Sequence, residues 1–174
     1  MHSIQINKPQ PHEHPEYVGN YIAKANWNDL FEAHRESVKV LQELLRSLSE
    51  EKWNFRYGPG KWSIKEIVGH LIDAERIMAF RALCFARREQ QPLPGFEEND
   101  YAENSNASER EPADLLNELQ HVRQSTIDFF SSLKEETFMN SGIANKNSST
   151  VRAIAWMIPG HMMHHADVIK ERYL

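Results

Sequence analysis

A chain of 174 residues has room for one hydrophobic core, and a formal charge of −5 leaves it without the concentrated basic surface that nucleic-acid binders use to displace phosphate counterions. With 26 % charged and 40 % hydrophobic residues it has the balance of a globular domain, and no stretch reaches the roughly 18 uninterrupted apolar residues of a membrane-spanning helix. The one cysteine, Cys84, excludes an intramolecular disulfide and a cysteine-based zinc cluster, so a metal must be held by histidines or carboxylates.

Residues 1–14 are polar, carry three of the nine histidines (His2, His12 and His14) and show no apolar periodicity. They read as a flexible arm in front of a single domain covering residues 15–174. The arm has neither an apolar run nor a small-residue cleavage site, which makes the cytoplasm the expected location. Four segments follow in which apolar residues recur at steps of three and four, the pattern of helices with one buried face. The first spans about Glu16 to Ser49, with a seam of Trp27, Phe31, His34, Val38, Leu41, Leu45 and Leu48. The second opens on a capping box, Ser63 with Glu66 three residues on, and Trp62 stands where it can staple onto Ile67. It continues to about Arg88 along two adjacent stripes, one of which holds Ile67, His70, Ala74 and Ile77.

Pro112 suits the first turn of the third segment, which runs to about Lys134 through Leu116, Leu119, Arg123, Thr126, Phe130 and Leu133. The fourth follows a polar loop, Asn145 to Ser149, along Val151, Ile154, Ile158, His161, His165 and Val168, and Pro159 should kink it just before the histidines. The connection from Gln90 to Glu111 is the longest and can cross the bundle. The expected fold is therefore all-α: a four-helix bundle in up-down-down-up order, with that crossover between the second and third helices and no strand.

His161 and His165 are four residues apart, so on a helix they project from one face, and their seam places that face in the core. His70 lies on the inward stripe of the second helix, which allows three imidazoles to converge. Three neutral histidines leave coordination positions open, the pattern of catalytic rather than structural metal sites, and suit zinc, nickel or iron alike. The plainer alternative for each is a core histidine bonded to a carbonyl or carboxylate. His164 can replace His165 on spacing alone but falls off the seam.

The stretch GKWSIKEIVGHLIDAER from Gly60, FRALCFARR followed by PLPGFEENDY, and the terminal GHMMHHADVIKERYL resemble the DinB/YfiT-like superfamily of four-helix-bundle metalloenzymes, over almost the whole chain after the arm. The resemblance implies that the histidine of the GHL motif and the two of a terminal H-x-x-x-H bind one divalent metal, here His70, His161 and His165. It also implies thiol-dependent chemistry, as in low-molecular-weight thiol S-transferases and thiol-dependent isomerases, or metal-dependent hydrolysis, and a homodimer. In either chemistry the metal lowers the pKa of a thiol or a water and presents it as nucleophile.

Other residues are candidates for supporting roles. Arg123 is a cation on an inward stripe, to be matched by an anionic substrate group or a buried carboxylate, or else to reach solvent over a packed stem. Asp73 or Glu75 can orient a ligand imidazole, with a salt bridge to Arg76 or Arg81 as the plainer reading. His34 is a pocket or core histidine, Cys84 a small core residue, and Phe96, Asn99 and Tyr101 form a lid from the crossover. The expectation is a metal-dependent transferase or hydrolase acting on a small molecule, with Arg123 and Asp73 as catalytic candidates. The alternative is a non-catalytic metal-holding bundle that binds a small molecule or another subunit.

Overall fold

The structure is a computed structural model and describes residues 5–174. In chain order its elements are α1 (Glu16–Lys24), α2 (Leu30–Leu45), α3 (Glu50–Asn54), α4 (Ile64–Ala86), α5 (Glu98–Asn104), α6 (Pro112–Ser131), β1 (Ser141–Ala144), β2 (Asn147–Thr150) and α7 (Val151–Arg172). The four long helices α2, α4, α6 and α7 form a four-helix bundle. No described helix is long and apolar enough to cross a membrane.

Local chemistry sets the boundaries. At the start of α4 the expected capping box is present: Ser63 Oγ accepts from the Glu66 N–H at 3.3 Å, and Glu66 Oε2 accepts from the Ser63 N–H at 2.7 Å. The first predicted helix is in fact two, because Asp29 caps a new start by accepting from the Glu32 N–H at 2.7 Å. The stretch read as a strandless polar loop is an antiparallel hairpin in which Ser141 pairs with Thr150 and Ala144 with Asn147. Asn145 and Lys146 turn it with φ of 48° and 64°, the left-handed pair that a two-residue hairpin turn needs.

The expected arm is docked wherever it is described, and His2 lies outside the described residues. Trp156 Nε1 donates to the carbonyls of Ile6 and Asn7 at 3.2 and 3.0 Å. The buried Glu13 carboxylate accepts from Thr150 Oγ1 at 2.9 Å and from Arg152 Nε at 3.0 Å. Among its described residues this short polar segment is held by an apolar anchor, Ile6, that is 3 % exposed and by a buried charge, Glu13, that is paired.

Two apolar clusters fill the bundle, one around Leu30, Phe85, Phe130 and Trp156 and one around Leu41, Ile67, Leu115 and Ile169. Each long helix passes from one cluster to the other, α2 and α7 in one sense, α4 and α6 in the opposite sense. Where the clusters meet lie the buried polar side chains His34, Ser37, Glu75, Arg123, Thr126 and His161, with His70 set a little further into the second cluster. The fold thus places a polar layer across its own core.

Candidate metal centre

His70 comes from the second turn of α4 and His161 and His165 from the middle of α7, two helices that pack side by side. His161 Nε2 stands 3.2 Å from His70 Nε2 and 3.2 Å from His165 Nε2, and the three ligand atoms all lie within 4.8 Å of one another. His70 and His161 are 3 % and 5 % exposed, and His165 is partly buried. Trp62 lays its ring 4.8 Å from that of His70, and Tyr21 of α1 stands edge-on to His161 at 5.3 Å.

Burial keeps these rings neutral. It pushes His70 down from about 6.5 to about 4, and pushes His161 to about 3 with the help of His70 and His164 beside it. His165 is held well below its ordinary value by burial, then by its histidine neighbours. A neutral ring offers one lone pair and one N–H, so a single Nε2 on His161 cannot pair with both neighbours by hydrogen bonds. A shared cation satisfies all three lone pairs. Tetrahedral ligands about 2.0 to 2.1 Å from zinc stand about 3.3 Å apart, which the two 3.2 Å separations match. The residues fit one divalent ion, and nothing in the donor set selects zinc over nickel or iron.

Comparison with known proteins gives the family and the fold. The family model described as the DinB superfamily matches residues 31–169. The chain belongs to the DinB superfamily. A relative from Geobacillus thermodenitrificans named "Putative metal-dependent hydrolase" is 30 % identical over 117 residues, which cover 63 % of this chain and 66 % of that protein. Among solved structures, YfiT from Bacillus subtilis, described as "a probable metal-dependent hydrolase with an unusual four-helix bundle topology", aligns with a TM-score of 0.75 at 18 % identity. That alignment covers 94 % of this chain and 90 % of YfiT, and it establishes the shared fold.

Within this DinB fold the two catalytic candidates stand elsewhere. Arg123 is fully buried and paired: Nε and Nη2 donate to the two oxygens of Glu75 at 2.8 and 2.9 Å, and Nη1 donates to Ser37 Oγ at 2.7 Å and to the His34 carbonyl. The buried carboxylate that its position demanded is Glu75, which leaves Glu75 no part in orienting an imidazole. Asp73 points away from the histidines into a small cleft with Arg76, Arg110 and Glu118, its nearest cation being Arg76 at 3.9 Å. Burial raises its pKa. The spacing His70 to Asp73 carried no information on this point, because three residues along a helix also reach the flank of a wide buried face. Cys84 is half-buried, and burial raises its thiol pKa, as befits a packing residue.

A cavity of about 260 Å³ adjoins His165, lined by Tyr57, Lys61, Trp62, Asn99, His164 and Tyr173 among others. Of the expected lid residues Asn99 lines it, while Phe96 and Tyr101 pack on each other at 5.0 Å. His164 borders the cavity and sits edge-on to Tyr21 at 5.3 Å, with its pKa lowered by burial. Tyr21, Tyr57, Lys61 and Tyr173 were not singled out from the sequence, since each reaches the site through a loop or a helix pairing that periodicity does not encode. A larger groove of about 770 Å³ runs between α4 and α6 past Phe80, Leu83 and Phe129, but none of the three histidines borders it.

Proposed function

We propose that this chain is a metal-dependent enzyme of the hydrolase or thiol-transferase type, in which water or a low-molecular-weight thiol forms a bond to an electrophilic carbon of a small molecule and the group displaced from that carbon leaves. His70, His161 and His165 hold the ion, and the cavity beside His165 takes the substrate. The observation that carries the reading is the convergence of three neutral imidazole nitrogens at the edge of a cavity of about 260 Å³. A divalent ion bound there supplies the Lewis acidity that makes water or a thiol nucleophilic near neutral pH. The rings contribute no charge, so the ion keeps its full double positive charge. Trp62 and Tyr21 lay their rings against His70 and His161, and Asn99, Lys61 and His164 present the polar groups available to orient a substrate. The hydrolase wording attached to the relatives supports the water-dependent branch.

Metal analysis of purified protein beside His161→Ala tests the site: about one ion per chain is expected in the first and a large loss in the second. The reaction is tested by screening activated esters and amides, and thiols against electrophiles, with metal-loaded and chelated protein. Rates abolished by chelation and restored by one divalent metal support the enzyme. Rates indifferent to chelation favour a non-catalytic binding module.

A further inference from the structure

Pro159 lies inside α7 and has no N–H, so the carbonyl of Ala155, four residues earlier, lacks its helical partner. Ala155 is fully buried, and an unpaired carbonyl there costs on the order of 1 to 3 kcal/mol. His34 of α2 supplies the missing donor. Its Nε2 stands 2.9 Å from the Ala155 oxygen, and because a carbonyl only accepts, Nε2 carries the proton of the ring. A bond within one helix has been replaced by a bond between two, at the step of α7 that leads directly into His161.

His34 is itself held from behind. Its backbone carbonyl accepts from Arg123 Nη1, and the other edge of the same guanidinium is forked onto both oxygens of Glu75 at 2.8 and 2.9 Å. Glu75 lies five residues beyond His70 on α4. Arg123 Nη2 also reaches the sulfur of Met162, next to His161, at 3.7 Å. The network begins and ends on the two helices that carry the metal ligands, and it crosses α2 and α6 on the way.

We propose that His34 and Arg123 are positioning residues for the metal centre: together they fix the Pro159 step of α7 against α4 and so set the separation of His161 from His70. The proposal rests on the reading of the three histidines as metal ligands. A helix relieved of one internal hydrogen bond can bend by variable amounts, whereas a metal tolerates only a few tenths of an ångström in its ligands. The bond from His34 selects one bend. The forked pair of Arg123 with Glu75 then prevents α4 from sliding past that bend. A buried ion pair is often no more stabilising than apolar packing of equal volume, which makes a geometric role the better account of why the layer is polar.

Zinc affinity, measured by competition with a chromogenic chelator, tests this beside urea unfolding of the metal-free proteins. His34→Phe removes the donor, and zinc binding should weaken at least tenfold. In His34→Gln the amide can donate to the same oxygen, and binding should stay within threefold of wild type. The double variant His34→Phe with Pro159→Ala returns an N–H to the Ala155 carbonyl inside α7. Its stability should recover while its zinc affinity stays at least tenfold weak, and it carries the same test should His34→Phe alone fail to fold. Recovery of zinc affinity together with stability would mean that the carbonyl only needed a partner, and the positioning role would be overturned. Wild-type zinc affinity in His34→Phe would overturn it too. Equal zinc in wild type and His161→Ala would instead sink the metal-centre reading itself, so the two failures are distinguishable.

Discussion

The carbonyl oxygen of Tyr21 lies 2.0 Å from the point that a Cβ on Gly160 would occupy. At this position α1 and α7 touch backbone to backbone, and the contact brings the Tyr21 ring against His161 and His164. Gly160→Ala puts a methyl group into a main-chain carbonyl that cannot swing aside as a side chain does. The variant should lose about 3 kcal/mol or more in urea unfolding, toward the upper end for overpacking. Zinc affinity should fall as well, because α1 must lift from the site. A variant as stable as wild type would show that α1 is not held at this distance.

His164 and His165 are neighbours in different surroundings. His165 directs Nε2 at His161 Nε2, 3.2 Å away, whereas His164 stands edge-on to Tyr21 and borders the cavity. His165→Ala should lose its ion, and His164→Ala should keep a full equivalent while altering KM for whichever substrate the screen identifies. Equal metal loss in the two variants would refute this division.

The three-histidine cluster was legible because helical period and chemistry coincide: its members lie on seams with Ile67, Ala74, Ile154 and Ile158, which are buried, and Ile77 and Val168, which are partly buried. The same reasoning placed His34 and Arg123 inward but could not name their partners. Which helices touch, and that proline leaves the Ala155 carbonyl open to α2, are facts of long-range packing. The break between α1 and α2 did have a local signal, Asp29 with Glu32 three residues on, but the seam running through Trp27 and Phe31 masked it. The hairpin was missed because Ser141–Ala144 and Asn147–Thr150 are short and mostly polar, with little of the alternation that marks a strand. Asp73 was misplaced for the opposite reason: α4 is buried over so wide an arc that its flank resembles its face.

Glu13 tests whether the segment before α1 belongs to the folded unit. Its side chain is 1 % exposed, and Arg152, at 19 %, is the cation that matches it. Burial alone would raise the carboxyl pKa, but hydrogen bonds from Arg152, Gln10 and Thr150 bring it below its ordinary value. Arg152→Ala leaves that carboxylate without its cation and should cost about 2 kcal/mol, less than the roughly 3 to 5 kcal/mol for breaking a fully buried pair because the arginine is partly exposed. Adding Glu13→Gln should recover part of the loss. If Arg152→Ala leaves the urea midpoint unchanged, the segment is not contributing to stability.

Acid should unfold the metal-free chain through its buried neutral histidines. His70 is held at about 4 and His161 at about 3, while burial keeps His165 and His34 well below their ordinary value, the latter helped by the Arg123 cation. In the unfolded chain all four titrate near about 6.5. Between about 6.5 and 4 the unfolded state therefore binds more protons than the folded state, and stability rises with pH across that window and falls on acidification. Each ring contributes up to about 1.4 kcal/mol per pH unit while only its unfolded form is protonated. Urea midpoints of chelator-treated protein should drop steadily from about pH 6.5 to 4, and His34→Gln should make the slope shallower by removing one titrating ring. Zinc at fixed excess should raise the midpoint near neutrality and lose that effect as protons compete for the same nitrogens. A midpoint flat across the window would mean that these rings are not buried as neutral groups.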